Sequence, residues 1–271
     1  MRIAVLIDND AEGGLKAEWG LSLWVEYEGR RILLDTGASP AFAENAAALG
    51  LDLAEADFGV LSHAHYDHAD GMAEFFRRNS CAPFYLREAC REDCYGRNET
   101  QGLHYIGIAP GTLEAYAGRI VRVSGRFSPA PGVTLLGHSA PGLSSVGAAA
   151  ALYRKTPQGM VPDGFEHEQS MILETPRGLV VMNSCCHAGA DTVLRESAAA
   201  FPGQRLYAIV GGFHLHRSTP EEVRAFAARL RDTGIRHVVT GHCTGQEAVG
   251  ILREALGDAV RQTEAGLTLE L

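Results

Sequence analysis

Residues 63–68 read His-Ala-His-Tyr-Asp-His and follow directly on the apolar stretch Phe58-Gly59-Val60-Leu61-Ser62. Imidazole and carboxylate are ligands for first-row metals, whereas an apolar core gains nothing from polar rings that each demand a partner. Three histidines and an aspartate leaving one strand end together therefore point to metal chemistry, at the place where α/β proteins commonly build a site. Three further apolar stretches also run into a histidine: Gly178 to Asn183 into His187, Leu206 to Val210 into His214, and Arg236 to Thr240 into His242. A lone histidine after a strand is most often a satisfied loop or core ring. Four such ends can converge on one point, and convergence predicts a metal centre.

The elements that must position these residues follow from pattern and punctuation. Strands are expected at Arg2 to Asp8, Gly20 to Tyr27, Arg31 to Asp35 and Phe58 to Ser62, with a hairpin turn at Glu28-Gly29-Arg30. A helix runs through Ala41 to Leu49, with Ser39 as cap, Pro40 at its first position and Gly50 ending it. A second is expected from about Ala69 to Arg78. From about Cys81 to Phe165 the pattern loosens, with short strands near Arg119 to Val123 and Val133 to Leu136, and this region reads as an elaborated cover over a site. Regular alternation then returns: strands at Ser170 to Glu174, Gly178 to Asn183, Leu206 to Val210, Arg236 to Thr240 and Leu267 to Leu271. The intervening helices lie around Asp191 to Phe201, after the capping box Thr219-Pro220-Glu221-Glu222, and from about Gln246 to Leu256 with Thr244 as candidate cap. Two β-rich halves with interspersed helices predict an α+β, four-layer αββα sandwich. A doubly wound parallel sheet is the alternative, disfavoured because a three-residue turn cannot join parallel strands.

Composition narrows the function. The chain has 271 residues, 46% of them hydrophobic, ample for a packed core. Its formal charge of −9 argues against a nucleic-acid partner. No uninterrupted apolar run is long enough for a bilayer, and acidic residues arrive at Asp8 and Asp10 where a leader would be apolar, so no membrane partner and a cytoplasmic location are expected. The six cysteines read as free thiols. Cys90 and Cys94, four apart on an expected helix, could share a face. Cys185, Cys186 and Cys243 adjoin site histidines and either line the pocket or serve as small buried hydrophobes.

The chain resembles the metallo-β-lactamase-fold superfamily, whose signature His-x-His-x-Asp-His stands here as His63, His65, Asp67 and His68. Within it, the chain is similar to the dihydropterin-ribofuranosylaminobenzene-phosphate synthase-like branch. The motifs carrying this are Gly20-Leu21-Ser22, Leu34-Asp35-Thr36-Gly37, His167-Glu168-Gln169-Ser170, Gly211-Gly212-Phe213-His214-Leu215 and Gly241-His242-Cys243-Thr244-Gly245. The resemblance implies one metallo-β-lactamase-like domain over residues 1–271, the cover included. It also implies a first metal on His63, His65 and His187 and a second on Asp67, His68 and His242. Two dications about 3.5–4 Å apart would lower the pKa of a shared water toward 7 and polarise a scissile carbonyl or phosphoryl oxygen. Asp67 is then the carboxylate to orient that water or take its proton.

The expected activity is a metal-dependent hydrolase, with two zinc ions, acting on a small ester-like molecule such as a phosphoester or a pterin-type phosphorylated metabolite. Zinc is favoured because His65 stands where redox di-iron relatives carry glutamate; manganese and iron stay open. The alternatives are a synthase-like enzyme and a metal-dependent metabolite-binding or sensing protein. One departure stands out, because the bridging aspartate expected after the fourth strand has no counterpart in Gly211-Gly212-Phe213-His214-Leu215-His216. His214 occupies roughly that place, as a metal or substrate contact. Asp35 is expected to hold a ligand histidine or loop amides. His167 and Glu168 could face substrate, while His104, His138, His216 and His237 read as structural.

Overall fold

The computed structural model describes residues 1–271. Strands β1 (Arg2–Ile7), β2 (Ser22–Tyr27) and β3 (Arg30–Leu34) form an antiparallel meander. Helix α1 (Ala41–Ala48) leads to β4 (Phe58–Val60), parallel to β3. Helices α2 (Tyr66–Ala69) and α3 (Met72–Arg78) lead to β5 (Phe84–Arg87), parallel to β4. A hairpin of β6 (Cys94–Asn98) and β7 (Gly102–Tyr105) then leaves this sheet, and after α4 (Thr112–Ala115) the chain returns as β8 (Ile120–Val123) at its edge. Strands β9 (Arg126–Ala130) and β10 (Val133–Gly137) open a second sheet. After α5 (Leu143–Ala149), β11 (Leu152–Thr156) and β12 (Gly159–Pro162) join β6 and β7 in a small antiparallel sheet. The second sheet is completed by β13 (Gln169–Thr175), β14 (Gly178–Met182), α6 (Ala190–Ala200), β15 (Leu206–Val210), α7 (Pro220–Asp232), β16 (His237–Thr240), α8 (Gln246–Leu256) and β17 (Val260–Gln262). Finally β18 (Thr268–Glu270) crosses back to pair with β1.

Period-two alternation builds the layers, since successive side chains of a strand point to opposite faces. Ile3 and Val5 of β1, Leu23 and Val25 of β2, and Val180 and Met182 of β14 meet in the core between the two seven-stranded sheets. Their sequence neighbours point outward. Ala4, Leu6 and Trp24 pack against Phe42 of α1 and Phe75 of α3, while Leu179 and Val181 pack with Leu194 of α6, Phe226 of α7 and Leu252 of α8. Three apolar interfaces separating four layers make the αββα sandwich, and the doubly wound alternative is excluded.

Local chemistry accounts for several boundaries. The Thr219 and Glu222 capping box forms as the sequence requires. Ser39 accepts the Ala41 amide at the start of α1. The helix expected over about 69–78 is interrupted: Asp70 ends α2, and Gly71 passes too close to the Thr36 carbonyl for any side chain. Two expectations are corrected. Thr244 does not cap α8, because its hydroxyl accepts the Phe213 amide and bonds Thr240. Cys90 and Cys94 share no helix; Cys94 begins β6 and both sulfurs approach His167. The hairpins of the small sheet were not legible within the cover. No helix is long and apolar enough to cross a membrane.

Candidate metal centre

Parallel strands bring the histidines together. His63 follows β4, His187 follows β14, His214 follows β15 and His242 follows β16, and β14, β15 and β16 run side by side in the same direction. The two sheets face one another, so carboxyl ends from both meet at one rim of the sandwich. There two trios of potential ligand atoms form, His63 with His65 and His187, and Asp67 with His68 and His242. The His63 and His187 Nε2 atoms lie 3.3 Å apart. Asp67 Oδ2 stands 3.5 Å from Nε2 of both His68 and His242. Two nitrogens each about 2.0–2.1 Å from one tetrahedral ion would be separated by about 3.3 Å.

The surrounding hydrogen bonds decide which nitrogen of each ring faces inward. Asp35 is fully buried and accepts from the Ser62 amide (2.6 Å), the Ser62 hydroxyl (2.6 Å) and His68 Nδ1 (2.9 Å). The Ser62 hydroxyl spends its single proton on Asp35, so it must accept from His63 Nδ1, 2.8 Å away. Asn9 Oδ1 likewise accepts from His242 Nδ1 at 3.1 Å. In His63 and His242 Nε2 is thereby left with a bare lone pair, the form a metal takes, and in His68 it is again Nε2 that faces inward. Buried Nε2 atoms of His65 and His242 have no hydrogen-bond partner at all. An orphaned, fully buried ring nitrogen is costly unless something occupies the space before it, and a metal ion would.

Electrostatics agree for most of the rings. Burial pushes His65 and His242 down to about 3 and holds His63 and His187 well below the usual imidazole range, so these four are neutral donors. Burial opposes ionisation of Asp67, but the neighbouring His68 more than compensates and keeps its carboxyl below the ordinary range. His68 differs. Against its burial, Asp67 and Asp35 raise it to about 10, so an ion taking its Nε2 must displace a proton.

Two side chains that the sequence left open as substrate contacts instead hold loop geometry. Glu168 is fully buried and accepts the amides of His187 (2.7 Å) and Ala188 (2.9 Å). His167 accepts the Ala64 amide on Nδ1 and bonds Asp163 through Nε2 at 2.9 Å. Together they grip the loops bearing His187 and His63 to His65. Asp8 was not singled out by sequence, yet it accepts the His242 amide at 3.1 Å. Asp70 accepts the Ala109 amide and ties the cover to the base. Five of the seven non-glycine residues with positive φ, Asp35, Phe165, Cys186, His214 and His242, lie in this network. Such conformations persist only where surrounding contacts over-determine them, and they concentrate at functional sites.

His214 belongs to neither trio. Its ring lies tilted against His187, 4.6 Å between centroids, and faces a cleft of about 380 Å³, and burial lowers it to about 4. Trp19, Tyr66 and Tyr105 give the cleft aromatic walls, and Arg97 and Arg217 add cations. His104 and His216, read as structural from sequence, line it as well. His138 is structural, bonded to Ser170 and Glu196, and His237 to Tyr207. All six cysteines are free.

Buried His and Asp clusters that could hold a metal, at one rim of an αββα sandwich, define a metallo-β-lactamase fold. A model of the metallo-beta-lactamase superfamily matches residues 20–147. The solved structure of Tm1679, described as a metal-dependent hydrolase of the beta-lactamase superfamily, is 30% identical with a TM-score of 0.86, covering 100% of this chain and 99% of that one. The chain belongs to the metallo-β-lactamase superfamily. Among curated relatives, the 7,8-dihydropterin-6-methyl-4-(β-D-ribofuranosyl)-aminobenzene-5'-phosphate synthase of Methanocaldococcus jannaschii is 26% identical over 264 residues, 92% of this chain and 89% of the relative. Zn(2+)-bound PqqB from Methylobacterium extorquens shares the fold at 14% identity and a TM-score of 0.57, with each chain covered in full.

Proposed function

We propose that the protein is a metal-dependent hydrolase of a small ester-like substrate, with two zinc ions held by His63, His65 and His187 and by Asp67, His68 and His242. The observation carrying this is the pair of adjacent trios, with bare buried Nε2 atoms, opening onto one cleft. When bound, the ions supply Lewis acidity and lower the pKa of coordinated water. The chain itself does the rest. Asp67, held anionic by the neighbouring His68, orients the attacking water and takes its proton. His214, neutral at pH 7, contacts the substrate from the cleft wall.

The cleft supports a phosphorylated, ring-bearing substrate. Arg97 and Arg217 suit an anion, and Trp19, Tyr66 and Tyr105 suit a flat ring. The printed name of the Methanocaldococcus relative combines both chemistries in a pterin-bearing phosphate. That name also supports a second reading, a synthase acting on related molecules.

His63→Ala or His65→Ala should abolish bound metal and reduce turnover of generic phosphoesters by at least about a thousandfold, as removal of a catalytic metal implies. Full activity of either variant in chelator-treated buffer would remove the hydrolase reading. Metal-dependent condensation of pterin and aminobenzene substrates without hydrolysis of any ester would favour the synthase. Binding without turnover in every assay would leave a sensing protein.

A further inference from the structure

Each trio offers three donors, and a ligand shared by the two positions would add one to each while a water could still be taken up by expansion to five-coordination. The bridging carboxylate that the superfamily resemblance leads one to expect is missing, and the segment after β15 that would carry it reads Gly211-Gly212-Phe213-His214. Sulfur lies beside that segment instead. Cys243 Sγ packs against Gly212 so closely that a Cβ there would collide with it, and it accepts the His214 amide at 3.3 Å. Cys243 in turn sits 3.4 Å from Cys185 Sγ.

Cys185 occupies the middle of the centre. Its Sγ lies 3.3 Å from His68 Nε2 and falls within 4.8 Å of the ligand nitrogen of His63 on one side and of His242 on the other. It therefore clusters with members of both trios. Cys185 is buried, it lines the cleft, and the orphaned His242 Nε2 shares its cluster. A sulfur and a nitrogen on one tetrahedral zinc, at about 2.3 and 2.0–2.1 Å, would stand roughly 3.5 Å apart, near the separation seen.

We propose that the Cys185 thiolate is the ligand shared by the two metal positions, in place of the absent carboxylate, with Cys243 as the positioning residue that donates its S–H to that sulfur. This rests on the two-metal reading above. On loading, the Cys185 S–H bond breaks, its proton leaves to solvent, and metal–sulfur bonds form; no electrons are transferred. The soft donor favours zinc over manganese, which prefers oxygen ligands.

The test uses the full chain loaded with Co²⁺ alone for optical spectra and with Zn²⁺ alone for X-ray absorption. The parent should bind two ions per chain, show a sulfur-to-cobalt charge-transfer band, and display a metal–sulfur shell at about 2.3 Å. Cys185→Ser should lose the band and the shell and bind one ion at least about tenfold more weakly, whereas Cys243→Ser should keep both signals. Two bound ions without sulfur in the parent would overturn the thiolate proposal and leave the metal centre standing; no bound ion would overturn the metal centre itself. A sulfur signal surviving in Cys185→Ser would also overturn the proposal. Should that variant fail to fold, the parent spectrum and Cys243→Ser still decide.

Discussion

Asp35 serves two rings at once. Its Oδ2 accepts from His68 directly and from the Ser62 hydroxyl, whose own acceptance turns the His63 ring. One carboxylate thus orients a member of each trio. Asp35→Asn exchanges one acceptor oxygen for an NH₂ group that faces donors, and metal affinity should fall by about 10–100-fold with no ligand removed. Competition against a chromophoric chelator measures this, and unchanged affinity would show that the hydrogen bonds do not orient the rings. The signature histidines and Asp67 were legible from residue type and spacing, because a six-residue run lies on one turn of chain. The Nε2 presentation was not, since it depends on Asn9 reaching His242 across 233 positions.

At the scale of elements, α6 is pinned to the end of β10 through Glu196 and His138, 2.9 Å apart. The hydrogen bond from His138 holds the Glu196 carboxyl below its ordinary value. A depressed folded-state pKa contributes stability that is present above the unfolded value of 4.5 and is lost as pH falls through the folded one. Glu196→Gln should therefore cost about 1 kcal/mol at pH 7, with the difference shrinking below pH 4.5. Urea midpoints at pH 7 and pH 4 test it, and a penalty that grew on acidification would contradict this sign. The capping box of α7 and the strands flanking the site were readable, because their signals are local. The small sheet was not: its central pairing joins β6 to β11 across intervening strands and helices, so no short-range pattern announces it.

For the whole molecule, metal binding and folding are linked, because the two trios draw ligands from both seven-stranded sheets. Ions that bind only the folded chain stabilise it by about 2.7 kcal/mol at a hundredfold excess over the dissociation constant. For a chain of this size that corresponds to a rise of roughly 5–10 °C in unfolding temperature. Differential scanning calorimetry with added Zn²⁺ and then with chelator should show the rise and its reversal. An unfolding temperature indifferent to both would argue against a centre assembled by the sandwich. The sequence by itself determined the layered fold and the histidines at four strand ends, because alternation and strand-end position are properties of a few consecutive residues. Only the tertiary structure decided how those ends are held. Glu168 on the His187 loop, His167 on the His63 to His65 loop, and Cys185 beside Cys243 are contacts between distant segments, set by how two sheets pack and invisible to any local pattern.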